Sequence, residues 1–202
     1  MIKDIPYKLI LASNSPRRKE LLAGLGLEFS VKVIEGIDES WPEGLKGEEI
    51  PLFISRKKAA PYKQLIAPDE LVITADTIVY VDGQVLGKPM DELDAKRMLR
   101  LLSGREHEVI TGVTFLTSRR EHSFAVTTRV RFCKLSEEEI DHYVYHYIPM
   151  DKAGAYGIQE WIGYVGVESI EGSYFNVVGL PVQRLYRELL EFVSTDRDCN
   201  GE

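Results

Sequence analysis

At 202 residues the chain is within reach of a single α/β domain and long enough to hide roughly 70% of its unfolded surface, so neither a disulfide nor a structural metal is required for a core. A net charge of −7, from 32 acids and 25 bases, excludes broad electrostatic binding to nucleic acid but leaves room for a small basic pocket. Two cysteines outside any C-x-x-C pair, no apolar leader and no run near the ~20 apolar residues of a membrane span point to a globular cytoplasmic protein with no membrane contact.

Lys8 to Ala12 reads as a short buried strand, and Ser15-Pro16 opens a helix as cap and first turn. Leu21, Leu22 and Leu25 give that helix an apolar face, and Gly24 and Gly26 end it. A second strand over 28–34 leads into an acidic loop through Asp38, Glu39, Pro42 and Gly47. The next helix covers 48–60, with Pro61 ending or kinking it. Leu71 to Ala75 is a continuous apolar run, a buried strand. Ile78–Val81 and Gln84–Leu86 flank Asp82-Gly83, the signature of a type I′ hairpin.

Asp91 to Leu102 is helical and stops at Ser103-Gly104. Val/Thr/Phe alternation over 107–117 and 122–133 predicts a long hairpin. Ser136 and Glu139 form a capping box that opens a helix to about Tyr147. The Gly/Tyr-rich stretch 153–179 reads as loops with short elements. Val182, Leu185, Tyr186, Leu189, Leu190 and Val193 fall on one face of a last helix. The expected architecture is one mixed α/β domain over 1–194, of two lobes around a cleft, with a polar, frayed tail at 195–202.

The segment Ser13-Asn14-Ser15-Pro16-Arg17-Arg18 is a turn with two hydroxyls, then a helix start with two arginines. A helix N-terminus offers unpaired amides to an anion, and arginine forks match phosphate oxygens. Cations there oppose the helix dipole by about 0.3–1 kcal/mol each, so an adjacent pair calls for a bound polyanion. The plainer alternative is a capped helix with solvated arginines. Asp76 follows the run 71–75, where α/β sheets present ligand sites, and could hold a cation or take a proton from water; equally, an aspartate there could simply end the strand.

Lys88, and Lys57 and Lys58 on the second helix, are further cations for the same anion, or solvated surface lysines. Asp38 and Glu39 could supply a metal ligand, because Mg²⁺ favours one or two carboxylates plus substrate phosphates; a solvated loop is the alternative. His142 and His146 stand at i, i+4 without the glutamate of H-E-x-x-H or a third ligand, so they are not expected to bind metal. His107 and His122 lie in strand-like runs with no nucleophile constellation. Neither a G-x-x-x-x-G-K-[ST] loop nor a G-x-G-x-x-G fingerprint is present.

Taken in order, several strings resemble the Maf family of nucleoside triphosphate pyrophosphatases. They are Leu11 to Arg18, Ala75-Asp76-Thr77, Leu86-Gly87-Lys88-Pro89, Leu102-Ser103-Gly104, Lys152 to Gln159 and Gly172 to Pro181. The likeness covers about residues 8–193. It implies a house-cleaning hydrolase that splits a nucleoside triphosphate into monophosphate and pyrophosphate with Mg²⁺ or Mn²⁺. It also implies an α/β fold around a deep nucleotide-binding cleft, and a homodimer.

By the same resemblance Asp76 is the general base, Ser13, Arg17, Arg18, Lys58 and Lys88 contact phosphate, and Glu39 stands with Asp76 near the metal. Thr77, Gln159 and Arg17 match the branch that acts on dTTP and UTP. Thr74 departs from the pattern, which commonly has glycine there, and bears on the turn before Asp76. The competing class is a non-catalytic nucleotide-binding regulator of cell division that uses the same pocket.

Overall fold

Local signals set most element ends in the computed structural model, which describes residues 5–200. β1 (Lys8–Leu11) leads to α1 (Pro16–Ala23), where the Ser15 hydroxyl accepts from the Arg18 amide and Pro16 sits in the first turn. β2 (Phe29–Val31) follows. α2 (Glu49–Ala59) ends just before Pro61, as expected, and a 3₁₀ turn (Ala60–Gln64) follows it. β3 (Glu70–Val81) continues through Asp76 without the break expected after Ala75. Asp82 and Gly83, at φ 49° and 79°, turn the chain into β4 (Gln84–Leu86), as Asp-Gly predicts.

α3 (Glu92–Leu102) is capped by Asp91, and β5 (Glu106–Leu116) and β6 (Glu121–Phe132) follow. The capping box of Ser136 and Glu139 starts α4 (Glu137–Tyr147). The stretch expected as loops with short elements holds a second 3₁₀ turn (Ala153–Ala155), α5 (Trp161–Gly166), β7 (Val167–Glu171) and α6 (Tyr174–Val178). α7 (Val182–Asn200) runs past the expected end at 194, so the tail is helical to 200; residues 201 and 202 lie outside the described residues.

Among the described residues the fold is mixed α/β, with seven strands in one sheet ordered β2-β1-β3-β5-β6-β7 and β4 on β3. β1 runs parallel to β2 and β3, whereas β4 is antiparallel to β3 and β7 to β6. The chain divides into two compact units. The first takes the residues up to Asp76, Thr111–Val126 and those from Gly179 on; the second takes Thr77–Ile110 and Thr127–Val178.

In the first unit successive strand residues serve opposite faces. Leu9, Leu11, Leu71 and Ile73 pack with Leu22 of α1 and Leu185 and Leu189 of α7. Ile10 and Val72 pack the other way, with Ala59 and Tyr62. Both faces are covered, as a parallel sheet requires. α2 lies hard against β5: a Cβ on Gly112 would come within 2.4 Å of the Pro51 carbonyl group and 2.6 Å of the Leu52 nitrogen. Backbone cannot yield as a side-chain tip does. Gly112→Ala is expected to destabilise the protein by about 1–3 kcal/mol, read as a lowered urea midpoint.

The second unit has its own core, in which Leu99 and Leu102 of α3 meet Tyr143 and Val144 of α4 and Val130 and Phe132 of β6. His107 is buried there, its Nε2 2.7 Å from the Tyr156 hydroxyl. Burial lowers its pKa to about 4, so the folded state holds the neutral ring. The unfolded chain binds this proton near pH 6.5 and the folded protein does not, so the stabilisation is present above pH 6.5 and is lost as pH falls towards 4. From pH 7 to pH 5 the loss comes to about 2 kcal/mol. Urea unfolding at both pH values should show it, and His107→Phe should remove this share of the pH dependence.

Candidate active site

β1 stops at Leu11, which pairs with Ile73, and the Ala12 amide makes a last bond to the Ile73 carbonyl at 2.9 Å. Asp76 lies further along β3, past the end of its parallel neighbour. The site therefore opens at the carboxyl end of β1, while β3 carries the carboxylate onward in mid-strand. Asp76 is 8% exposed, and a buried carboxylate needs a partner. That partner is Lys58, whose Nζ lies 2.7 Å from Asp76 Oδ1 and 3.0 Å from Glu39 Oε1.

Three buried hydroxyls bring Lys58 to Asp76. The Thr74 hydroxyl donates to the Ser55 carbonyl at 2.7 Å, and the Ser55 and Thr114 hydroxyls meet at 2.9 Å. Lys58 is about one helical turn beyond Ser55, and Asp76 is on the same strand face as Thr74. Thr74 is thus a strut between the helix and the strand that carry the two charges. Lys57, one residue earlier, turns to the loop, pairing with Asp38 at 2.8 Å and with the Ser40 carbonyl at 3.0 Å. Its hydrogen bond, with those from Ser40, holds the Asp38 carboxyl well below the usual range. Of the adjacent pairs, Lys58 and Glu39 face Asp76 and Lys57 and Asp38 do not.

Arg18 is anchored by two backbone carbonyls. Its Nε donates to the Gly179 carbonyl at 2.9 Å and its Nη1 to the Ala75 carbonyl at 2.8 Å, clamping the residue before Asp76. Burial pushes its guanidinium pKa down, Asp76 pulls it up, Arg17 pushes it down and Glu39 pulls it up. Four charges therefore share one neighbourhood, and an arginine remains charged there. Arg17 is half-buried. Ser13 is buried and its Oγ accepts from the Ser15 amide at 3.2 Å, which shapes the turn before α1.

Two carboxylates already share a cation, the Lys58 ammonium, and both offer hard oxygen donors. Among the described residues no group of three His, Cys, Asp or Glu side chains could hold a metal ion. Asp76 and Glu39 could supply the one or two carboxylate ligands that Mg²⁺ takes alongside substrate phosphates.

Those six residues, Ser13, Arg17, Arg18, Glu39, Lys58 and Asp76, belong to the first unit; Thr77, Lys88 and Gln159 belong to the second. Thr77 follows Asp76 on β3 and is half-buried, and Lys88 is exposed after β4. The Gly154 amide donates to the Gly87 carbonyl at 3.0 Å, tying the segment of Lys88 to the loop that ends in Gln159. His122 meets Glu188 at 2.6 Å, and His146 Nδ1 lies 2.8 Å from the His142 carbonyl. Sequence reasoning missed the strut of Thr74 and Ser55 and the carbonyl clamp of Arg18. A polar Thr74 inside an apolar run was the available signal for the first. Among the described residues no helix is long and apolar enough to cross a membrane.

The family described as Maf-like protein matches residues 8–192. The chain is 63% identical over 183 residues to a protein named dTTP/UTP pyrophosphatase from Bacteroides fragilis, covering 91% of this chain and 95% of that one. A protein of the same name from Phocaeicola vulgatus is 62% identical over the same shares, and one from Christiangramia forsetii is 45% identical over 94% and 96%. The solved structure of a HAM1 protein from Coxiella burnetii aligns with a TM-score of 0.48 at 14% identity, over 92% of this chain and 99% of that one, too loosely to bear on the site. With the buried Asp76–Lys58 pair and the Ser13–Arg18 turn inside the matched span, the chain belongs to the Maf-like protein family.

Proposed function

We infer that this protein is a nucleoside triphosphate pyrophosphatase acting on dTTP and UTP, releasing the monophosphate and pyrophosphate. The substrate class is that named for its relatives. The observation that carries the chemistry is the buried Asp76 carboxylate, with Lys58 at 2.7 Å and Arg17 and Arg18 in the same electrostatic neighbourhood.

In the proposed reaction Asp76 takes a proton from water as the water oxygen bonds to the α-phosphorus. The bond from that phosphorus to its bridging oxygen breaks, and pyrophosphate leaves with that oxygen. Lys58, Arg17 and Lys88 meet phosphate oxygens and stabilise their charge as fixed partners, with Ser13 and the start of α1 beside them. Arg18 adds its field while holding the strand of Asp76 in place. Asp76 and Glu39 would hold a divalent cation, Mg²⁺ or Mn²⁺, which would supply neutralisation of phosphate charge. Gln159 donates and accepts at the pyrimidine edge, and Thr77 and Arg17 complete the selection.

A panel of nucleoside triphosphates with pyrophosphate readout, with and without Mg²⁺ or Mn²⁺, tests this proposal. Release from dTTP and UTP that depends on the metal is expected. Tight binding of dTTP without any release would favour the regulatory alternative. A homodimer and a cytoplasmic site of action belong to the same proposal. Sedimentation checks the first and cell fractionation the second.

A further inference from the structure

The loop from Lys152 to Glu160 is almost wholly withdrawn from solvent. Lys152 and every residue from Gly154 to Ile158 are buried, Glu160 is half-buried, and Gln159 is exposed between them. The Glu160 amide closes a turn onto the Gly157 carbonyl at 2.9 Å, which puts Gln159 at its tip. On one side of the tip, the Ile158 carbonyl packs so closely on Gly163 that a Cβ there would stand 1.8 Å away.

On the other side, Glu160 is held at both oxygens. The Tyr143 hydroxyl donates to Oε2, and Lys152 Nζ lies 3.0 Å from Oε1. Tyr143 also accepts from the Gly157 amide at 2.9 Å, and Lys152 reaches Asp151 at 2.7 Å. Burial, then the bond to Glu160, push the Tyr143 phenol well above its ordinary pKa, so it stays a donor. A Cβ on Gly157 would lie 2.9 Å from both Glu160 Cδ and Lys152 Cε, so only glycine lets these side chains close over the turn.

Withdrawing three polar groups from water for one short turn is a poor way to gain stability, because well-packed apolar groups would serve as well. What the network supplies is direction: the backbone on both sides of Gln159 is fixed and only its side-chain torsions remain. We propose that Tyr143, Lys152 and Glu160 are positioning residues that aim the Gln159 amide and so set which pyrimidine base is accepted, an inference that rests on the reading of Gln159 as the base contact. An amide that donates and accepts distinguishes the uracil edge from the cytosine edge only when its direction is fixed.

The experiment compares kcat/KM for UTP and CTP in wild type, Gln159→Ala, Tyr143→Phe and the double variant. The UTP-to-CTP ratio should fall about tenfold in each single variant, mainly through the KM for UTP, and no further in the double. The phenylalanine fills the same space and Glu160→Gln keeps an acceptor for Tyr143, so Glu160→Gln should lie between wild type and Tyr143→Phe. If Gln159→Ala keeps the wild-type ratio, the base-contact reading itself fails. If Gln159→Ala lowers the ratio and Tyr143→Phe does not, that reading stands and the positioning role is overturned. Equal loss on both nucleotides in Tyr143→Phe, with the ratio unchanged, overturns it too. Should Tyr143→Phe not fold, the ratio in Glu160→Gln decides by the same criterion.

Discussion

Asp76→Asn is expected to keep nucleotide binding and lose about a thousandfold in turnover, within the 10²–10⁴ that a general base contributes. The amide has the carboxylate's shape and can still accept from Lys58, which stands 2.7 Å from Asp76 Oδ1. It cannot take a proton from water. Because the side chain is 8% exposed, bulk solvent gives little relief, and among the described residues the other carboxylate against Lys58 is Glu39 at 3.0 Å. Equilibrium titration with dTTP separates binding from steady-state turnover. Near wild-type hydrolysis by this variant would remove Asp76 from the base's role.

Arg18→Ala should cost both stability and turnover. The guanidinium donates to the Ala75 and Gly179 carbonyls at 2.8 and 2.9 Å. Charged hydrogen bonds of this kind contribute roughly 1.5–3 kcal/mol each, so the loss without nucleotide should be about 3 kcal/mol. Turnover should fall at least about tenfold, because the bond that is lost clamps Ala75, the residue before Asp76. Arg18→Lys should recover little of either, since an ammonium cannot reproduce a planar fork set on two acceptors. Urea unfolding of the free protein is the deciding readout. A pure phosphate ligand would leave that curve unmoved and raise only KM.

Elements with local chemistry were legible in the sequence. Ser15-Pro16, Asp82-Gly83 and Ser136 with Glu139 each satisfy backbone donors or positive φ within a few residues, and each forms as read. An aspartate after an apolar run reads as a strand end at Ala75, yet sheet pairing carries β3 to Val81. β7 escaped notice because Val-Glu-Ser-Ile-Glu, with most of its residues exposed, has no buried face to announce it.

The candidate site divides along the same line. The expectation of an anion grip at Ser13–Arg18 follows from helix-end electrostatics, but apart from the family resemblance no pattern in the residues distinguishes Lys58 from Lys57 or Glu39 from Asp38. Packing decides that: Gly112 admits α2 to the strand, Thr74 and Ser55 fix it there, and Lys58 falls on Asp76. Such contacts join positions far apart in the chain, where periodicity carries no information.

In the proposed reaction water attacks the α-phosphorus with assistance from Asp76. Hydrolysis of dTTP in ¹⁸O-enriched water, with both products analysed by mass spectrometry, tests it most directly. One ¹⁸O in the monophosphate and none in pyrophosphate is the predicted result. Label in the pyrophosphate, or release of dTDP with inorganic phosphate, would contradict it.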